Sequence, residues 1–80
     1  MDRAQILSDL TTIMREYFDD ETLVLTEDTT ADEVEEWDSL SHVNIMAAVE
    51  QHFGIKIATA EVDHLKNVGE LVNLIEKKTA

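Results

Sequence analysis

The run Trp37-Asp38-Ser39-Leu40-Ser41-His42-Val43-Asn44-Ile45-Met46-Ala47-Ala48-Val49-Glu50-Gln51-His52-Phe53-Gly54 decides the fold. Ile45, Val49 and Phe53 recur at i, i+4 and i+8, with Met46 beside them, which is the stripe of a helix that buries one face. Asp38 suits the N-cap, because its side chain can accept an orphan N–H and its charge complements the positive end of the helix dipole. Gly54 suits the left-handed residue that closes such a helix. The spacing therefore predicts a helix from about Ser39 to Phe53. A second apolar set, Leu40, Val43 and Ala47, follows i, i+3 and i+7 and points roughly the opposite way. Either this helix is buried all round, or its second stripe meets a shallow pocket or a docking partner. A core of this size rarely encloses a helix completely, which favours the second reading.

Upstream, Ile6, Leu7, Leu10, Ile13, Met14, Tyr17 and Phe18 step by three and four, which predicts a first helix from about Asp2 to Phe18. Asp19, Asp20 and Glu21 then put like charges where the helix dipole disfavours them, so the helix ends there. A long loop follows to Asp38, holding ten acidic residues between Asp19 and Asp38 and no Lys or Arg. Leu23, Val24 and Leu25 are its expected apolar anchor. Thr30 to Glu33 is expected to make a brief helical turn, with Thr30 as cap and Glu33 reciprocating. A loop this long in a compact domain is functional or a misassignment. Downstream, Ile55-Lys56-Ile57 reads as extended and Thr59 to His64 as a short third helix. A fourth helix opens at a capping box, Asn67 with Glu70, and carries Val68, Leu71, Val72 and Ile75 on one face. Lys77 and Lys78 occupy its cation-favouring end.

Eighty residues, no Pro, two Gly and few β-alternating runs give one expected domain, 1–80, of all-α class. The absence of Cys excludes a disulfide framework and a thiolate metal site. A net charge of -12 argues against nucleic-acid or anionic-membrane binding and for basic partners. No apolar run approaches the ~18 residues of a membrane span. Met1-Asp2-Arg3-Ala4 does not open a signal peptide, so the cytoplasm is the expected compartment; a monomer is expected.

The chemistry-bearing candidate is Ser39, a hydroxyl at a helix start framed by acids. Its simplest role is to help cap the helix. A hydrolase built from Asp38, Ser39 and His42 lacks the Gly-x-Ser-x-Gly elbow and an oxyanion hole. His42, His52 and His64 lack metal-ligand spacing and read as solvated surface residues. The acidic loop lacks the Asp and Gly pattern of an EF-hand, so no metal site is expected.

Asp38-Ser39-Leu40, the acidic loop before it and the apolar positions after it together resemble the acyl carrier protein family across nearly the whole chain. Leu40, Val43, Ile45, Ala48, Val49, Glu50 and Phe53 match that family's second helix. Ile57 matches its position before the third, and Val68 and Ile75 match its fourth. The resemblance implies a small four-helix bundle of the acyl-carrier type, with a short third helix and a long loop between the first and second. It implies a 4'-phosphopantetheine arm attached covalently at Ser39, with Asp38 and Leu40 as its neighbours. It implies a carrier of acyl thioesters, itself no enzyme, for fatty-acid, polyketide or other specialised acyl metabolism. The alternatives are a peptidyl or aryl carrier protein, or an unmodified acidic helical adaptor. The implied partners are a phosphopantetheinyl transferase and acyl-activating and acyl-processing enzymes with basic patches, and Asp38 looks positioned to help bind the transferase's metal or a basic residue. The expected docking residues are Glu35, Glu36, Asp38, Val43, Ala47 and Glu50. The chain departs from fatty-acid carriers in that Ser41, His42, Asn44 and Gln51 occupy second-helix positions often held by acids. The negative charge lies upstream instead, at Glu33, Glu35, Glu36 and Asp38, as suits a specialised carrier.

Overall fold

The computed structural model describes residues 2–34, 36–62 and 65–79. Among them are four α-helices and no strand: α1 (Arg3–Phe18), α2 (Ser39–Phe53), α3 (Thr59–Val62) and α4 (Val68–Thr79). A 3-10 turn, Ala31–Glu33, interrupts the loop between α1 and α2. α1 packs against both α2 and α4. The apolar stripes read from sequence meet there: Ile6, Leu10 and Met14 of α1, Ile45 and Val49 of α2, and Val68, Leu71, Val72 and Ile75 of α4 are essentially inaccessible. Each such side chain contributes about 1.5–3 kcal/mol by leaving water. No helix among the described residues is long and apolar enough to cross a membrane.

The helix ends follow local chemistry. The Asp2 carboxylate accepts the Gln5 N–H at 2.8 Å and caps α1. Asp19 closes α1 in the left-handed conformation at φ 52°, and Gly54 closes α2 at φ 67°. The box expected at α4 is displaced. Asn67 Oδ1 accepts the Glu70 N–H at 3.0 Å, but the Glu70 carboxylate reaches back to the Lys66 N–H rather than to Asn67. The turn at Ala31–Glu33 forms as expected, yet Thr30 makes no side-chain cap, and backbone bonds hold the turn instead. α3 is described only to Val62, and the rest of its expected span, with His64, lies outside the described residues. Ile55 to Ile57 forms no regular element.

The acidic loop is bound to the bundle by specific groups. Leu25 is buried and Leu23 half-buried, but Val24 is 69% exposed, so the expected three-residue anchor is two residues. Alternation explains this: in extended chain, neighbours point to opposite sides. Arg15 Nε donates to the Leu23 carbonyl at 2.6 Å. The Arg3 guanidinium binds Glu27, Asn73 and Glu76, joining the N-terminus, the loop and α4. The buried Thr29 hydroxyl accepts the Thr26 N–H at 2.9 Å, closing a turn that presents backbone carbonyls to α4. The Val68 and Gly69 N–H groups take up those carbonyls, from Thr29 and Glu27, at 2.8 and 2.7 Å. These two bonds satisfy N–H groups that a helix start leaves orphaned.

Candidate functional site

Ser39 is the first residue of α2 and is exposed. The cap before it is made by Asp38, whose carboxylate accepts the Ser41 N–H at 2.8 Å. That hydrogen bond to the ionised form holds the Asp38 carboxyl below its ordinary pKa. Two hydroxyls sit close together here, and the structure separates them. Ser41 Oγ donates to the Glu36 carbonyl at 3.0 Å and is half-buried, whereas Ser39 Oγ has no partner among the described residues. Ser39 is therefore the hydroxyl available to a reagent.

Beside Ser39 lies an open hollow of about 580 Å³. The turn supplies Ala31 and Asp32, and the chain before α2 supplies Trp37 and Asp38. The first turns of α2 supply Ser39, His42 and Val43, and Val62 and Leu65 close the far side. Its walls are mixed apolar and polar, and it is open to solvent. A smaller recess of about 40 Å³ adjoins it, sharing Ala31, Trp37, His42 and Leu65. That recess has room for only a few waters.

Trp37 is buried. Its indole N–H donates to His42 Nδ1 at 3.1 Å, and the two rings lie 5.9 Å apart at a tilt of 30°. His42 was expected on the solvated surface. Instead it is half-buried in the wall of the hollow, where its Nδ1 takes the N–H of Trp37, five residues earlier. His52 is a surface residue, as expected, and pairs with Asp9 of α1 at 3.2 Å. No cluster among the described residues could hold a metal ion.

The second stripe of α2 is open to solvent: Leu40 is 72% and Val43 66% exposed, and Ala47 is exposed as well. α2 is thus not enclosed on all sides. Asp38, Ser39, Leu40 and Val43 gather at one end of the helix, with Glu36 exposed just before it. Glu35 lies outside the described residues. Glu50 stands eleven residues beyond Ser39, about 16 Å along the helix. It is half-buried and its carboxylate accepts the Ile57 N–H at 2.9 Å, fastening the chain that leaves α2. Sequence reasoning missed this fastening, together with Val62 and Leu65 as walls of the hollow, because all three depend on how distant segments fold back.

A four-helix bundle with an unengaged serine at the start of its second helix, beside an open hollow, is the arrangement of a small carrier domain. The chain belongs to the phosphopantetheine attachment site family, whose model matches residues 8–75. Its backbone superimposes on the solution NMR structure of holo acyl carrier protein from Geobacter metallireducens with a TM-score of 0.84. The two are 49% identical, over 90% of this chain and 83% of that one. An acyl carrier protein from Acidothermus cellulolyticus is 45% identical over 42 residues, 52% of this chain. The match spans half the length of that curated relative. The family's prosthetic group, 4'-phosphopantetheine, fits the residues present: an exposed hydroxyl to esterify, a helix start to face a phosphate, and a hollow beside them for the arm.

Proposed function

We propose that Ser39 is the attachment site of the 4'-phosphopantetheine arm and that the chain carries acyl groups on it. The observation that carries this reading is the pairing of a solvent-open Ser39 with a neighbouring Ser41 committed to the Glu36 carbonyl. When bound, the arm supplies the thiol that a chain without Cys lacks, and holds acyl groups as thioesters. The chain's own residues position that arm. Asp38 fixes the first turn of α2 through the Ser41 N–H, so the Ser39 hydroxyl projects at a rigid helix end. Asp38 spends Oδ1 on that bond, which leaves its other oxygen to a metal or basic residue of the modifying enzyme. Leu40, next along, presents an exposed apolar contact.

The partners proposed are a phosphopantetheinyl transferase, then acyl-activating and acyl-processing enzymes in the cytoplasm. Charge argues for basic docking patches on them, since the chain carries -12. The proposed docking surface is the acidic approach to Ser39, with Glu35, Glu36 and Asp38, followed by the apolar pair Val43 and Ala47. Glu50 is its distal member. Exposed α2 positions Asn44 and Gln51 add no charge, so steering concentrates at the loop end.

The test is intact-mass analysis after incubation with coenzyme A and a phosphopantetheinyl transferase. One arm's mass on the wild-type chain, mapped to Ser39 and absent from Ser39→Ala, is expected. Modification of Ser39→Ala would overturn the assignment, and a wild-type chain that takes up no arm would favour the unmodified adaptor.

A further inference from the structure

Resting on attachment at Ser39, we infer that His42 is the positioning residue for the arm's phosphodiester, donating from Nε2 to one of its oxygens. Side-chain donors in the hollow are few. Ala31, Val43, Val62 and Leu65 offer no polar side-chain group, and Asp32 and Asp38 are acceptors when ionised. The Trp37 N–H is spent on His42. The Ser39 hydroxyl becomes the ester oxygen when the arm is attached, and ceases to be a donor. His42 remains. Its Nδ1 accepts from Trp37, which assigns the neutral ring the tautomer with its proton on Nε2, and Nε2 has no partner among the described residues.

Electrostatics gives that donor its importance. A phosphodiester is an anion, and two carboxylates, Asp32 and Asp38, share the hollow with it. The helix start favours an anion, but the phosphodiester shares it with Asp38, whose carboxylate takes the Ser41 N–H and faces the same dipole, so a further donor is needed. A group donating to the phosphodiester would offset the repulsion, and a charge-assisted bond is the stronger kind. His42 is three residues after Ser39 on the same helix, a spacing that places side chains on one face with Cβ atoms about 5–6 Å apart. Trp37 holds the ring in orientation through its N–H, with the two rings 5.9 Å apart at a tilt of 30°. The pair thus works as a fixed bracket: Trp37 orients His42, and His42 holds the arm where it leaves the helix.

The test compares the apo and holo chains by NMR, with arm attachment on Ser39 verified by mass. In nitrogen-labelled histidine spectra, the apo chain is expected to show His42 as the Nε2–H tautomer. In the holo chain, that N–H proton is expected to move downfield and exchange more slowly with solvent. Phosphorus NMR of holo His42→Phe, which keeps a ring against Trp37 but has no donor, should show the phosphodiester signal displaced from wild type. Holo His42→Gln, which keeps a donor, should restore it toward the wild-type position. Should His42→Phe fail to fold, the wild-type apo and holo histidine spectra decide alone. An arm on Ser39 with unchanged His42 ring signals would overturn the contact and leave the attachment site standing. Absence of any arm on Ser39 would overturn both.

Discussion

The Gly69 N–H lies 2.7 Å from the Glu27 carbonyl, and a Cβ built on Gly69 would sit 2.9 Å from that same oxygen. The loop that leads to Ser39 therefore rests on the start of α4 at a distance only glycine permits. Gly69→Ala gains about 1 kcal/mol of helix propensity. It also sets a methyl against backbone, where overpacking costs roughly 1–3 kcal/mol. The backbone oxygen cannot swing aside as a flexible side chain would, so the clash should win. Thermal unfolding should show a lower Tm than wild type, and amide exchange should quicken around residues 26–30. A Gly69→Ala protein as stable as wild type, with unchanged loop exchange, would mean the loop shifts freely on α4.

Ser39→Ala and Ser41→Ala should have opposite effects. The first removes an exposed hydroxyl without a described partner, so stability should hold while arm attachment is abolished. The second breaks the bond to the Glu36 carbonyl, worth about 1 kcal/mol, while attachment persists. Mass analysis and urea unfolding of the two variants check both halves.

These two cases also mark where sequence legibility ends. Asp38 as cap, Gly54 as terminator and the stripe Ile45, Val49, Phe53 were readable because each depends on residues within a turn or two of the same helix. The same holds for Ser39 at the helix start and for the open stripe of Leu40 and Val43. Gly69 was unremarkable in sequence, since its necessity comes from Glu27, forty-two positions away. Nothing in their sequence neighbourhood marks Arg3 and Arg15, yet each fastens the loop. His42 was misplaced although Trp37 is only five residues away, because Trp37 lies before α2, where no helical repeat relates it to His42. Val24 was assigned inward with its neighbours because hydrophobicity alone does not say which residues of an extended run face the core.

Acid should weaken the fold through its engaged carboxylates. Asp38 is held low by the Ser41 N–H, Asp20 by Thr22, Glu27 by Arg3 and Glu61 by the Ala58 N–H. Each has a folded pKa below its unfolded one, so its contribution is present above the unfolded value, about 4. It is lost as pH falls through the folded value. A fall in Tm below about pH 4 is the expected profile. Asp38→Asn keeps a capping oxygen but removes one of the four linkages, so its acid fall should be shallower. An identical acid profile for Asp38→Asn would show that Asp38 takes no part.

The docking proposal makes a prediction in which charge and structure must be kept apart. The acids approaching Ser39 lie at the loop end of α2, whereas the Glu50 carboxylate is engaged with the Ile57 N–H. Reversing Glu35 and Glu36 to Lys should slow arm attachment mainly through slower association, and the deficit should shrink as salt screens the remaining field. Glu50→Lys would confuse the comparison, since it also releases the chain after α2. Glu50→Gln removes the charge while keeping an acceptor for Ile57, and should leave the association rate near wild type. Stopped-flow measurement with the transferase at low and high salt separates the cases. If Glu50→Gln slowed association more than the Glu35→Lys, Glu36→Lys pair, the steering charge would lie along α2 and the loop-end assignment would be wrong.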